Sequence, residues 1–212
     1  MSPSMAGRHI VITGAGGGLG PSVLEALNAV GAICHAPRRQ ELDLNDEAAV
    51  TKYYASLPAL WASVHVAGGF DMAPLMDTTL DAFTAQWRIN TVTAFLACRE
   101  AARRMRAGAG GQGGRIVNVG SKAGVDHPGG KIAYVTAKSA LAGMTRALAA
   151  ELRPDRILVN AVLPDTIDTP ANRAAMPDAD YSQWTSPVAI ARTIAWLVSP
   201  ECDTVTGALL PV

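Results

Sequence analysis

No run in this sequence approaches the roughly 20 consecutive apolar residues that a membrane helix requires, so no membrane span is expected. Neither sign of charge is in surplus: 18 Lys and Arg balance 18 Asp and Glu, for a formal net charge of zero. That excludes the broad basic surface on which nucleic-acid binding depends, and no nucleic-acid partner is expected. Cysteine is scarce and odd in number, with Cys34, Cys98 and Cys202 scattered and no CxxC pair among them. Such usage points to free, buried thiols in a reducing cytoplasm. The four histidines, His9, His35, His65 and His127, show no metal-ligand spacing, and no metal is expected. Met1 to Arg8 is short and polar, and no apolar run follows it that could serve as a signal peptide.

What the sequence has is core material. Of its 212 residues, 49% are hydrophobic and only 17% charged, which suits one α/β domain over residues 1–212. Short β-rich runs alternate with longer helical patterns, the mark of a parallel sheet wound on both faces. Seven strands are expected, near His9–Thr13, Ala32–Ala36, Glu41–Asp43, Ser63–Ala67, Arg115–Gly120, Ile157–Val162 and Gly207–Pro211. Helices are expected at about Pro21–Val30, Asp46–Ser56, Thr79–Arg106, Ala133–Leu152 and Pro187–Val198. The glycine-rich run Gly108–Gly114 reads as a connector, and the segment of about 164–186 as a short substrate loop.

The buried run Ile10-Val11-Ile12 leads directly into Thr13-Gly14-Ala15-Gly16-Gly17-Gly18-Leu19-Gly20, and a helical pattern begins at Pro21. Strand, glycine turn and helix in that order form the context of a dinucleotide-binding loop in a Rossmann-type fold. Glycines allow the tight turn and let the backbone approach a pyrophosphate, which the positive end of the helix dipole favours. Pro21 fits the first helical turn, where a missing N–H costs little.

Tyr134 and Lys138 stand four residues apart on one helix face, placing a phenol beside an ammonium. Ser121 closes the strand Arg115–Val119, thirteen residues before Tyr134, and Asn90 lies in Arg88-Ile89-Asn90-Thr91. Carbonyl reduction needs a hydride at carbon and a proton at oxygen. A free phenol has a pKa of about 10, and a nearby cation favours its ionised form. Bringing that pKa close to neutrality asks about 3–4 kcal/mol of Lys138 and a positively charged nicotinamide ring. Tyr134 would then serve as acid in reduction and base in oxidation, with Ser121 donating to the substrate oxygen.

The spacing TGxxxGxG at Thr13, Gly14, Gly18 and Gly20, together with Asn90, Ser121, Tyr134 and Lys138, resembles the short-chain dehydrogenase/reductase family. The resemblance runs over nearly the whole chain. It implies a nicotinamide-dependent oxidoreductase in which Lys138 also holds the nicotinamide ribose and Asn90 helps bind a proton-relaying water. It further implies that Asp43 and Leu44 lie beside the adenine, and that Ala67-Gly68 end the fourth strand, with Val66 where the family has asparagine. Pro164, Ile167 and Thr169 resemble the family's segment that holds the carboxamide and phosphates, with Asp165 in place of a glycine. Two helices, Thr79–Arg106 and Ala133–Leu152, would pair across a two-fold axis, giving a homodimer or homotetramer. Their second apolar stripe is read at Ala97, Ala101, Met105, Ala140, Met144 and Ala147.

Cofactor choice follows from charge. After the second strand come Arg38 and Arg39 rather than a carboxylate, and a guanidinium can grip a 2′-phosphate, so NADP(H) is favoured over NAD(H). The substrate is expected to be a small carbonyl or alcohol. Val66-Ala67-Gly68-Gly69 and the segment Asp168–Arg173 also resemble the dihydropteridine reductase branch. That branch lacks the catalytic serine and typically uses NADH. A dihydropterin reductase, and a catalytically idle dinucleotide-binding sensor, therefore stand as alternatives. His127 reads either as a pocket or a surface residue. Trp184 reads either as a cap on the substrate or as a pin for the loop.

Overall fold

The computed structural model describes residues 5–108 and 113–212. Most of the connector read at Gly108–Gly114 therefore lies outside the described residues. The elements run β1 (His9–Thr13), α1 (Gly20–Ala29), β2 (Ile33–His35), α2 (Glu47–Ser56), β3 (Ala62–His65), α3 (Leu80–Trp87) and α4 (Thr93–Arg106). They continue with β4 (Gly114–Val119), α5 (Ala123–Asp126), α6 (Ile132–Leu152), β5 (Ile157–Leu163), α7 (Pro170–Ala175), α8 (Pro187–Val198) and β6 (Leu209–Pro211). All six strands are parallel, in the order β2-β1-β3-β4-β5-β6. The order reverses at β1, which opens a crevice beyond the carboxyl ends of β1 and β3.

The strands are apolar because both faces of the sheet are covered. Ile10, Ile12, Val64 and Val117 pack with Val23 and Leu27 of α1 and Ile190, Ile194 and Leu197 of α8. On the opposite face Val11, Ile116 and Val159 pack with Tyr54, Leu96, Ala101 and Leu152. Every residue of β4 and β5 is buried.

The α/β class and the parallel sheet stand as expected, with differences in detail. Glu41–Asp43 leaves a turn as irregular chain and is not a seventh strand. Two of its three amides close locally, Glu41 N and Leu42 N both donating to Arg38 O at 2.9 and 3.0 Å, and are lost to a ladder. Leu42 alone is buried and anchors that turn to the core.

The helix read as Thr79–Arg106 is interrupted by a π-helical segment, Arg88–Val92. Side chains take helix carbonyls there: Asn90 Nδ2 donates to Gln86 O at 3.1 Å and Thr93 Oγ1 to Ile89 O at 2.8 Å. Such a bulge sets a side chain at an angle that a regular helix would not give it. Ala97, Ala101 and Met105, read as part of a second stripe, are core residues. The large apolar groups that α3, the bulge and α4 turn outward are instead Leu80 at the start of α3 and, further along, Trp87, Ile89 and Phe95.

Beneath the crevice a polar chain crosses the core. Tyr54 OH lies 2.9 Å from Ser63 Oγ, which lies 2.8 Å from His65 Nε2. His65 Nδ1 lies 2.8 Å from Asn118 Oδ1, and Asn118 Nδ2 donates to Thr145 Oγ1 at 3.0 Å. Burial pushes the His65 imidazole down to about 4 from 6.5, against the opposing pull of its Asn118 bond. An imidazole depressed in this way stays neutral in the folded chain while the unfolded chain takes up a proton. Its stabilising contribution is therefore complete above pH 6.5 and lost as pH falls towards 4, by up to about 3 kcal/mol. His65→Asn should flatten the urea midpoint between pH 6.5 and 4.5 relative to wild type. An equal pH slope in both proteins would show that another group titrates.

Candidate active site

The crevice gathers the glycine loop and the reactive side chains at the carboxyl edge of the sheet. Thr13 is buried at the end of β1, and Gly14 follows at φ +75°, where a Cβ would sit 2.4 Å from the amide nitrogen of Ala67. Only glycine fits between the two strand ends. Gly16, Gly17 and Gly18 are exposed, and a Cβ on Gly18 would meet Thr169 Cγ2 at 2.8 Å. Gly20 packs so tightly on Ala15 that a Cβ would reach its carbonyl oxygen at 2.3 Å. Leu19 is buried and precedes α1, whose first turn has no side-chain cap and no acidic residue. An uncapped helix start beside exposed glycines fits a pyrophosphate.

The other cofactor candidates surround this loop. Arg38 and Arg39 are exposed just past the end of β2, and neither enters an ion pair among the described residues. Asp43 accepts from Asn45 N at 2.9 Å, and that bond, the Asn45 side chain and nearby Arg39 hold its carboxyl below the ordinary value. Leu44 is partly buried against the core beside Leu42. Pro164 is buried, and its carbonyl accepts from Lys122 N at 3.1 Å. Ile167 bridges to Thr185, and its carbonyl accepts from Asn172 Nδ2 at 2.8 Å. Thr169 Oγ1 caps α7 through Asn172 N at 3.2 Å while its methyl faces Gly18.

Asn90, Ser121, Tyr134 and Lys138 come from three different elements and converge. Ser121 follows β4 and is buried; its Oγ accepts from Ala123 N at 3.2 Å, and it lies near enough to the Tyr134 hydroxyl to favour the ionised phenol. Lys138, one turn along α6 from Tyr134, is buried and donates from Nζ to Val119 O at 2.9 Å. Its Nζ lies 5.8 Å from the Tyr134 ring centroid. Asn90 Nδ2 donates to Gly69 O at 2.9 Å and to Gln86 Oε1 at 3.0 Å, and its Oδ1 accepts from Gly69 N at 3.2 Å. Gly68 links the two groups, since a Cβ there would stand 2.9 Å from Asn90 Oδ1 and 3.5 Å from Lys138 Nζ. Thr91 Oγ1 donates to Ala137 O at 2.9 Å and ties the bulge to α6.

Electrostatics departs from expectation at one point. Burial raises the Tyr134 phenol above its ordinary value of 10; Ser121 works against this and Asp165 adds to it. The lowering expected from Lys138 is absent, because burial pushes that ammonium's own value below the phenol's, so it is neutral where the phenol ionises. Burial pushes the Lys138 ammonium down to about 8.

Two groups near the site carry no local motif. Phe70 sets its ring edge-on to Tyr134 with centroids 4.9 Å apart, and Gln86 holds Asn90. Gln86 is visible from sequence only as the residue four before Asn90. His127 is exposed in a left-handed turn at the end of α5, which is its surface reading. Trp184 rests on Tyr181 at 4.6 Å, inside a segment also held by paired Arg173–Asp168 bonds of 2.6 and 2.8 Å. Among the described residues there is no cluster of His, Cys, Asp and Glu able to hold a metal ion, and no helix long and apolar enough to cross a membrane.

Comparison with known proteins places the chain in one family and one fold. The family described as enoyl-(acyl carrier protein) reductase matches residues 4–212. Bovine L-xylulose reductase (Bos taurus) is 28% identical over 239 residues, covering 100% of this chain and 97% of that protein. The 3-oxoacyl-[acyl-carrier-protein] reductase MabA of Mycobacterium bovis is 28% identical, covering 99% of this chain and 93% of its own. A solved short-chain dehydrogenase/reductase from Serratia marcescens superposes with a TM-score of 0.87 at 26% identity, covering 99% of this chain and 97% of that one.

Proposed function

The chain belongs to the short-chain dehydrogenase/reductase family and is an oxidoreductase, and on that premise we propose that it transfers a hydride between NADP(H) and a small carbonyl or alcohol substrate, with Tyr134 moving the proton. The observation that carries this reading is the convergence of Tyr134 with Ser121, which favours its ionised form, while Lys138 and Asn90 meet at Gly68. Thr13–Gly20, Ala67-Gly68 and Pro164–Thr169 would hold the nicotinamide dinucleotide, which would supply the hydride. The chain's own groups do the rest. A phenol held above 10 is protonated at neutral pH, so Tyr134 has a proton to give to the substrate oxygen as charge develops there. Ser121 donates a second hydrogen bond to that oxygen. Lys138, held near 8, keeps a positive charge near the tyrosinate that results and stabilises it, which eases loss of the proton.

Arg38 and Arg39 support the preference for NADP(H): exposed and free of ion pairs, they can turn towards a 2′-phosphate. Arg39→Asp removes one such donor and adds a repulsion. The ratio of kcat/KM for NADPH over NADH should fall at least about a hundredfold, a difference of about 2.7 kcal/mol. An unchanged ratio would remove Arg39 from phosphate recognition. Trp87, Ile89 and Phe95 form the exposed apolar face that a second copy would cover in a homodimer or homotetramer. The three cysteines, all free thiols, suit a cytoplasmic location.

A further inference from the structure

At the opposite edge of the sheet, where β4 and β5 begin, Arg115 is buried to 6% exposure. Its guanidinium lies 4.8 Å from the Trp61 ring centroid, on which Arg8 also stacks at 3.7 Å. Trp61 is fixed there by its Nε1, which donates to Val198 O at 2.7 Å. Arg115 Nη1 donates to Gly114 O at 3.0 Å, but its buried Nε has no acceptor among the described residues. A buried guanidinium short of an acceptor is costly, and such a group calls for an explanation.

Beside it is a cleft of about 370 Å³, lined by Arg115, Arg153, Arg156, Asp203, Thr204 and Thr206. Three guanidinium groups against one carboxylate leave the lining with a net charge of +2. Asp203 reaches none of the arginines within ion-pair distance among the described residues, and Arg153 has no ion pair there either. Thr206 Oγ1 accepts from Val159 N at 3.1 Å, which leaves its hydroxyl proton to donate. Water filling the cleft would leave the charge of its guanidinium groups uncompensated. A phosphate dianion matches the charge, and its oxygens match planar guanidinium donors.

We propose that this cleft is a second binding site, separate from the dinucleotide crevice, for a phosphate group, either the free ion or the monoester of a small metabolite. Arg115 and Ser121 lie at the two ends of β4, six residues or about 20 Å apart, so the site does not overlap the reaction centre. Its volume exceeds what the ion alone fills and falls within the range of small-ligand sites.

The test is titration of the full chain with inorganic phosphate and, separately, with glycerol 3-phosphate, read by thermal unfolding and calorimetry. NADP⁺ is held in excess so that the glycine loop is already engaged, and sodium chloride at matched ionic strength is the control. Saturable binding with a rise of several degrees in Tm is expected, with Kd at least tenfold weaker in Arg153→Glu and binding lost in Arg115→Met. Arg153 is exposed, so its variant keeps the test decisive if Arg115→Met does not fold. Tenfold tighter binding of the ester supports a metabolite as occupant, and equal binding supports the ion. A response no greater than that of chloride, or a Kd unchanged in Arg153→Glu, would overturn the proposal.

Discussion

Tyr134→Phe is expected to lower kcat by about a thousandfold or more while the Kd for NADPH stays within about twofold. The substitution removes one oxygen. The ring keeps its edge-on contact with Phe70 at 4.9 Å, and the backbone of α6 is unaffected. What disappears is the proton donor, and general acid catalysis by a positioned group contributes about 10²–10⁴-fold. Burial argues in the same direction: a phenol raised above its ordinary value is a proton store that solvent reaches poorly. A Phe variant that kept more than a tenth of the rate on every substrate turned over by wild type would move the proton transfer elsewhere.

Lys138→Met should change stability and activity in opposite directions. The buried ammonium is pushed down to about 8 from 10.5, so below pH 8 the folded chain carries a charge that burial disfavours by about 3 kcal/mol. Methionine fills a similar volume without charge. Its cost is the lost bond to Val119 O, about 1 kcal/mol. The net gain of roughly 1–2 kcal/mol should raise Tm at pH 7 by a few degrees in a chain of this size. Turnover should fall by about a thousandfold, since no positive charge then stands beside Tyr134. The pairing of greater stability with lost activity is what a strained functional group produces. A variant less stable than wild type, or one that remained active, would contradict this account of the lysine.

Much of this was legible in the sequence because it rests on local chemistry. The glycine loop needs its residues at fixed positions around one helix start, so Thr13, Gly14, Gly18 and Gly20 were readable from spacing alone. Tyr134 and Lys138 share a helix face, and Ser121 ends a strand, so their convergence followed once the sheet was recognised. What could not be read depends on competition between local and distant partners. Glu41–Asp43 alternates polar and apolar residues as a strand would, yet the amides of Glu41 and Leu42 are taken by Arg38 O. The π-helical segment at Asn90 arises from side chains competing for helix carbonyls, which periodicity does not report. The chain from Tyr54 to Thr145 joins two strands and two helices far apart in sequence. The direction of the Tyr134 shift is set by how deeply the phenol is buried, which spacing along a helix does not report.

The central claim is hydride transfer to a carbonyl carbon, and isotope transfer tests it most directly. NADPH carrying deuterium at its transferable C4 position is incubated with the full chain and a panel of small ketones and aldehydes, and each alcohol product is weighed by mass spectrometry. The account predicts at least one substrate whose product gains a single deuterium at the new carbinol carbon, retained in ordinary water and absent with Tyr134→Phe. Unconsumed NADPH across the whole panel, or a product without the label, would contradict it.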